Sequence, residues 1–137
     1  MIEKIDIRVR NDLMYSYIPV WSVAENEYLN AYMLIDTGAS VTSFGDLSLK
    51  RLGCYSEEKK TSVKTAGCNV DVFEVRIPKI KIASFELFNV KAHSHAFLSE
   101  FYFDGIIGMN VLKLFNFSVN FDKQEMSLEK RIFNKEK

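Results

Sequence analysis

Met33-Leu34-Ile35-Asp36-Thr37-Gly38-Ala39-Ser40 runs from an apolar strand straight into an acid, a hydroxyl, a glycine and two small residues. Residues 31–36 are a continuous apolar run up to the acid, as expected of a strand buried on both faces. A carboxylate at the end of such a strand is carried on a rigid element. Gly38 lets the backbone turn sharply and come close to another chain or a substrate. Thr37 is placed to hydrogen-bond across to a partner loop. Ala39 and Ser40 leave room beside the acid, and the Ser40 hydroxyl can donate to a carboxylate oxygen. Asp and Gly are also ordinary turn formers, so the triplet alone suits a plain strand-ending turn as well as a catalytic loop. What separates the two readings lies downstream.

The downstream element is Phe103-Asp104-Gly105-Ile106-Ile107-Gly108-Met109-Asn110-Val111-Leu112, with Ile106 70 positions beyond Asp36. Two β-branched residues lead into a glycine and then an apolar helical stretch. Asp36-Thr37-Gly38-Ala39-Ser40 resembles the active-site loop of the retroviral-type (retropepsin-like) aspartic proteases. Ile106-Ile107-Gly108 resembles the apolar–apolar–Gly signature that follows it in that family. The resemblance covers roughly residues 32–131, in order and spacing, and is to the single-domain bacterial and cellular members. It implies an all-β, closed barrel-like acid protease fold with a flap hairpin and one or two short helices. It also implies that the later signature strand passes beside the catalytic loop.

The pattern outside these segments agrees with a mostly β chain. Ile5, Ile7 and Val9 alternate with charged residues, and 14–23 is aromatic and β-branched. Residues 62–75 read as two strands turning at Ala66-Gly67-Cys68, 76–82 and 85–95 as two more joined near Ala83-Ser84, and 117–121 with 125–128 as a closing hairpin around Lys123-Gln124. Two segments break the alternation. Residues 46–52 place Leu47, Leu49 and Leu52 ahead of Gly53 at a helix C-terminus. Residues 109–115 form a second short helix after Gly108. No repeat, low-complexity tract or linker interrupts the chain, so 1–137 reads as one domain. Thr65, Ala66, Gly67 and Cys68 are the candidate flap tip. An ordinary surface hairpin would look similar, because the retroviral flaps carry more glycine.

Eighteen acids balance eighteen bases, which leaves no net field to attract nucleic acid or an anionic membrane. No stretch approaches the roughly 20 apolar residues of a membrane span, and residues 1–10 lack the apolar core of a signal peptide. Cys54 and Cys68 are too few for a disulfide framework, so free thiols and a cytoplasmic setting are expected. His93 and His95 share one strand face. Two ligands without a third do not make a metal site, so a solvated or half-buried strand face is expected there, with no metal and no cofactor. Glu57-Glu58-Lys59-Lys60 reads as a solvated loop or strand end. Asp104, ahead of Gly105 and with no hydroxyl–glycine after it, reads as a turn residue rather than a second catalytic acid. Phe97, Phe101, Tyr102 and Phe103 suit a substrate cleft, a core or an interface equally.

One Asp-Thr-Gly per chain is half a catalytic pair. The resemblance implies a homodimer in which each subunit supplies Asp36 and a peptide or protein is the substrate, cleaved by an activated water. A non-catalytic dimeric peptide-binding module that keeps the fold is the alternative, since fold does not fix function.

Overall fold

Alternating burial along most of the chain reflects strands with one face on a shared core. The computed structural model describes residues 1–65, 67–96 and 101–133, with only the backbone of Thr65. In chain order the strands are β1 (Ile2–Asp6), β2 (Arg8–Arg10), β3 (Leu13–Ser22), β4 (Glu27–Ile35) and β5 (Thr42–Gly45). Helix α1 (Asp46–Leu52) precedes β6 (Lys59–Thr65), β7 (Cys68–Ile82), β8 (Phe85–His95) and β9 (Gly105–Ile107). Helix α2 (Met109–Leu112) leads into β10 (Phe115–Asn120) and β11 (Glu125–Lys130).

Eight strands form one sheet in the order β2-β3-β4-β9-β5-β8-β7-β6. Its two halves meet where β3 also pairs with β7, Val20 opposite Ile80, which curls the sheet closed on itself. Val20, Ile77 and Ile80 are fully buried inside this closure. Each such aliphatic contributes about 1.5–3 kcal/mol relative to an exposed one. A second, three-stranded sheet has the order β1-β11-β10. There β11 is paired on both sides, with β1 through Ile2↔Glu129 to Asp6↔Glu125 and with β10 through Phe115↔Lys130 to Asn120↔Glu125. Its free edges are therefore β1 and β10.

Helix α1 buries Leu49 and Leu52 and stops at Gly53, whose φ of 74° is the left-handed C-terminal conformation a glycine takes most readily. Leu47 instead faces outward. Three expectations change. Residues 68–82 are one continuous strand rather than two, because the ladder with β8 keeps a single register from Phe73↔Ser94 to Ile82↔Phe85. Pro78, which has no N–H to give, is simply skipped in that ladder. The second helix ends at Leu112, since Phe115 is buried and already paired opposite Lys130. Strand β5 was not anticipated: at four residues, all buried, it shows no alternation to read.

Candidate active site

Asp36 sits one residue beyond β4, where pairing with the next element takes over. Its amide donates to the Ile107 carbonyl at 3.1 Å, which continues the β4–β9 ladder past Ile35↔Ile107. The Gly38 amide donates to Asp36 Oδ1 at 2.8 Å, and the Ala39 amide donates to the Asp36 carbonyl at 3.3 Å. A side chain at Gly38 would place its Cβ 3.1 Å from the same Oδ1, so glycine lets the loop fold back on the carboxylate. The far side of the loop is tied to α2: the Met109 amide donates to the Ala39 carbonyl at 2.7 Å and the Asn110 amide to the Ser40 carbonyl at 3.1 Å.

Strand β9 lies between β4 and β5, parallel to β4 and antiparallel to β5. Both glycines around it are close-packed. A Cβ on Gly105 would run into the Ser43 carbonyl, and one on Gly108 would lie 2.7 Å from the Val41 carbonyl carbon. Thr42, fully buried, accepts the Gly108 amide on its hydroxyl at 3.1 Å. Asp36, Gly38, Ala39, Ser40 and Ile106 thereby line one cavity of about 370 Å³. Ile107 points away from it into the core, fully buried. Thr37 is exposed, and its hydroxyl makes no hydrogen bond among the described residues.

Hairpin β6–β7 reaches this cavity with Val63 and Lys64. Its end is closed by Thr65↔Cys68, with Gly67 at φ 82°, and Cys68 is exposed. Ala66 lies outside the described residues, as does Phe97.

Two lining residues had carried no site assignment. His93 and His95 are buried, at 7% and 8% exposure, where a solvated or half-buried strand face was expected. They line the cavity because β8 pairs in parallel with β5, placing His93 opposite Ser43 and His95 opposite Gly45. That pairing crosses a long stretch of chain and leaves no local signal beyond the i, i+2 spacing. Burial pushes the His93 imidazole below its usual value, with Lys91 acting in the same direction and Glu74 against it. Burial and then the neighbouring His93 lower His95.

Asp104 is an anchor and not a turn residue. Its Oδ2 accepts the Tyr32 amide at 2.8 Å, its Oδ1 accepts the Ser48 hydroxyl at 2.9 Å, and Arg51 lies 3.8 Å away. It joins β4 to α1 just before β9 and does not line the Asp36 cavity. Tyr102 donates to the Tyr15 hydroxyl at 2.8 Å, and Phe103 packs on Tyr15, which stacks on Tyr32 at 5.2 Å. Phe101, Tyr102 and Phe103 border a separate cavity of about 280 Å³ with Leu47 and Arg51. Cys54 and Cys68 are unpaired thiols, and no cluster of metal-binding side chains occurs among the described residues. None of the described helices is long and apolar enough to cross a membrane.

Residues 23–114 match the family described as "gag-polyprotein putative aspartyl protease". Among curated proteins none matches. The solved structure of a retropepsin-like aspartic protease from Rickettsia conorii superposes with a TM-score of 0.66 at 22% identity, over 93% of this chain and 91% of that one. EIAV protease complexed with the inhibitor HBY-793 gives 0.55 at 17% identity, over 72% of this chain and 84% of that one. The retroviral protease-like domain of Ddi1 from Leishmania major gives 0.55 at 12% identity, over 90% and 97%. At these identities the likeness is one of fold.

Proposed function

The chain belongs to the gag-polyprotein aspartyl protease family, and from that premise we propose that it is an aspartic endopeptidase whose active site is shared between two copies. In this reading residues 1–137 act as one protease domain, Asp36 of each copy forms the catalytic pair, and the substrate is a peptide or protein. The observation that carries it is that Asp36 is the single carboxylate among the described residues lining the cavity. A water-activating pair needs a second acid, and a twofold axis supplies one from an identical chain.

Two carboxylates at such an axis share a proton in acid to mildly acidic solution, since both cannot ionise side by side. The charged one takes a proton from water, and the neutral one hydrogen-bonds the scissile carbonyl and later protonates the leaving amine. Gly38 holds the carboxylate through its amide, and Ala39 and Ser40 keep the loop on α2. The exposed Thr37 hydroxyl is available to a partner's loop. Thr65, Ala66, Gly67 and Cys68 serve as the tip of a flap, supported by the reach of Val63 and Lys64 over the cavity. Ile106, Ile107 and Gly108 brace the loop from beneath. Two free thiols suit a reducing, cytoplasmic setting.

Wild-type and Asp36→Asn chains test this on mixing. With free exchange in equal amounts, about a quarter of dimers keep both acids, and activity per wild-type chain falls to about half. Asp36→Asn alone should be inactive yet folded. Undiminished activity after verified exchange would overturn the shared site. Dimers that bind peptides without cleaving them would make the chain a binding module.

A further inference from the structure

A row of directly paired residues crosses the sheet from β2 to the Asp36 cavity. Arg8 stands opposite Tyr15, Tyr15 opposite Leu34, Leu34 opposite Ile106 and Ile106 opposite Ser43. Residues opposite one another share a face of the sheet, and the last two line the cavity. Their chain neighbours Met33, Ile35 and Ile107 turn the other way, into the core. Arg10, opposite Leu13, joins Arg8 on the cavity's face. We propose that Arg8 and Arg10 hold the carboxylate of an aspartate or glutamate side chain of the substrate, a few residues away from the bond that is cut. This deepens the peptidase reading and rests on it for the cleavage experiment.

Both guanidiniums are held ready. Arg8 lies over the Tyr17 ring at 5.5 Å from its centroid and Arg10 over the Tyr102 ring at 5.4 Å. All four side chains are exposed. Stacking uses the flat face of a guanidinium and leaves its N–H edge free, and that edge is the fork that matches a carboxylate. Among the described residues no carboxylate ion-pairs with either arginine, Asp6 and Asp12 beside them in the chain included. The same aromatic cluster holds an orphan. Tyr32, whose ring lies 5.2 Å from Tyr15 and 4.8 Å from Tyr17, has its hydroxyl sealed from water with no hydrogen-bond partner among the described residues. A buried donor without an acceptor is costly, which marks the cluster as incomplete until an oxygen enters it.

The occupant is a peptide that already lies in the cavity. The strand-to-strand steps from Arg8 to Ile106 amount to about 14 Å, the span of about four extended residues. Tyr15 and Leu34, midway along the row, are buried with Phe103 packed against them, so the chain crosses a firm aromatic floor. Two cations on a chain without net charge are too few for the phosphates of a nucleic acid. Glu100 lies outside the described residues, and the experiment removes it.

A peptide cleaved from a proteome-derived library supplies the frame, and a single glutamate is moved along it, each version matched by glutamine. At one position on one side of the cut, glutamate should raise kcat/KM about fivefold over glutamine. The gain should fall on KM with kcat unchanged, because the contact is remote from the reacting bond, and should shrink as salt is raised. Arg8→Gln with Arg10→Gln should bring the ratio to one, and Arg8→Glu with Arg10→Glu should shift the preference to lysine at that position. Equal handling of glutamate and glutamine at every position overturns the proposal, as does a ratio that the arginine variants leave unmoved. Arginine variants that lose assembly but keep the ratio would give these side chains to the subunit interface and overturn it too. Glu100→Gln should leave the ratio in place; a preference seen only in that variant would mean that the chain's own acid occupies the arginines, and the proposal falls. Binding of the labelled glutamate and glutamine peptides to Asp36→Asn protein is the second arm. Glutamate preferred there while the wild type cleaves nothing would sink the peptidase reading and keep the arginine site. Peptides neither cleaved nor bound would overturn the site.

Discussion

Thr42 and Asn110, 68 positions apart, are joined twice: Asn110 Oδ1 accepts both the Thr42 amide and the Thr42 hydroxyl, each at 2.8 Å. Asn110 Nδ2 also donates to the Lys91 carbonyl at 2.8 Å, so one amide side chain ties α2 to β5 and to β8. Strands β5 and β8 line the Asp36 cavity, and α2 ties down the loop that carries Ala39 and Ser40. Asn110→Ala strands the buried Thr42 groups and should cost about 2–4 kcal/mol, and Thr42→Val about 1–3 kcal/mol. Because the two residues share bonds, the double variant should cost less than the sum. Denaturant titration of the four proteins checks this. Additive losses would mean that the bonds contribute independently.

Gly105 should tolerate no side chain. Its Cβ would enter the Ser43 backbone carbonyl, with Phe44 Cα at 3.0 Å, and neither can step aside without opening the β5–β9 pairing. Gly105→Ala is expected to lose at least about 3 kcal/mol. Gly67→Ala meets nothing within 4 Å and pays only for its φ of 82°, about 1 kcal/mol. Thermal melts of the two variants should separate clearly, and equal melting temperatures would refute the steric account.

The histidine pair should make the fold acid-sensitive. Both imidazoles are held below the ordinary value of 6.5, so as pH falls from there the unfolded chain takes up protons before the folded one. Stability is then lost as pH drops through the window between 6.5 and the lowered folded values, and the loss levels off below them. His93→Gln with His95→Gln should flatten that part of the profile. Urea titrations at fixed protein concentration between pH 7.5 and 5 measure it, and an unchanged slope in the double variant would assign the sensitivity elsewhere.

The two thiols should react at different rates. Cys68 is exposed, whereas burial pushes the Cys54 thiol up, half-buried with its Sγ near the Leu52 carbonyl at 3.7 Å. Alkylation near pH 8 should label Cys68 at least about tenfold faster. A bulky adduct there should also weaken peptide binding if this hairpin closes over substrate. Mass spectrometry of a time course reads the order of labelling.

Legibility of the sequence followed the range of the interactions. Asp36-Thr37-Gly38 and Ile106-Ile107-Gly108 could be read because each packs a strand end, an acid or glycine, and its steric reason into a few consecutive residues. Helix α1 was visible for the same cause, its Leu49 and Leu52 spaced for one face and Gly53 marking its end. Strand β5 and the burial of His93 and His95 were not, because they depend on a parallel pairing between segments about 50 residues apart. Asp104 looked like half of a turn because Asp-Gly usually is. Only the fold shows that its carboxylate reaches Tyr32 and Ser48, and that Gly105 is demanded by crowding rather than by turning.

The late position of β9 in the chain bears on synthesis. Residues leave the ribosome from the N-terminus, and β4 and β5 emerge well before the segment that must slide between them. Until Gly105 to Ile107 arrive, the edges of β4 and β5 that will hold them have no partner, and Asp36 lacks the Ile107 carbonyl that fixes its backbone. A nascent chain therefore carries its acid early but cannot assemble the loop around it until the segment about 70 residues further on has been made. The same order leaves two bare strand edges exposed during translation, the stage at which this protein is most open to mispairing with its neighbours.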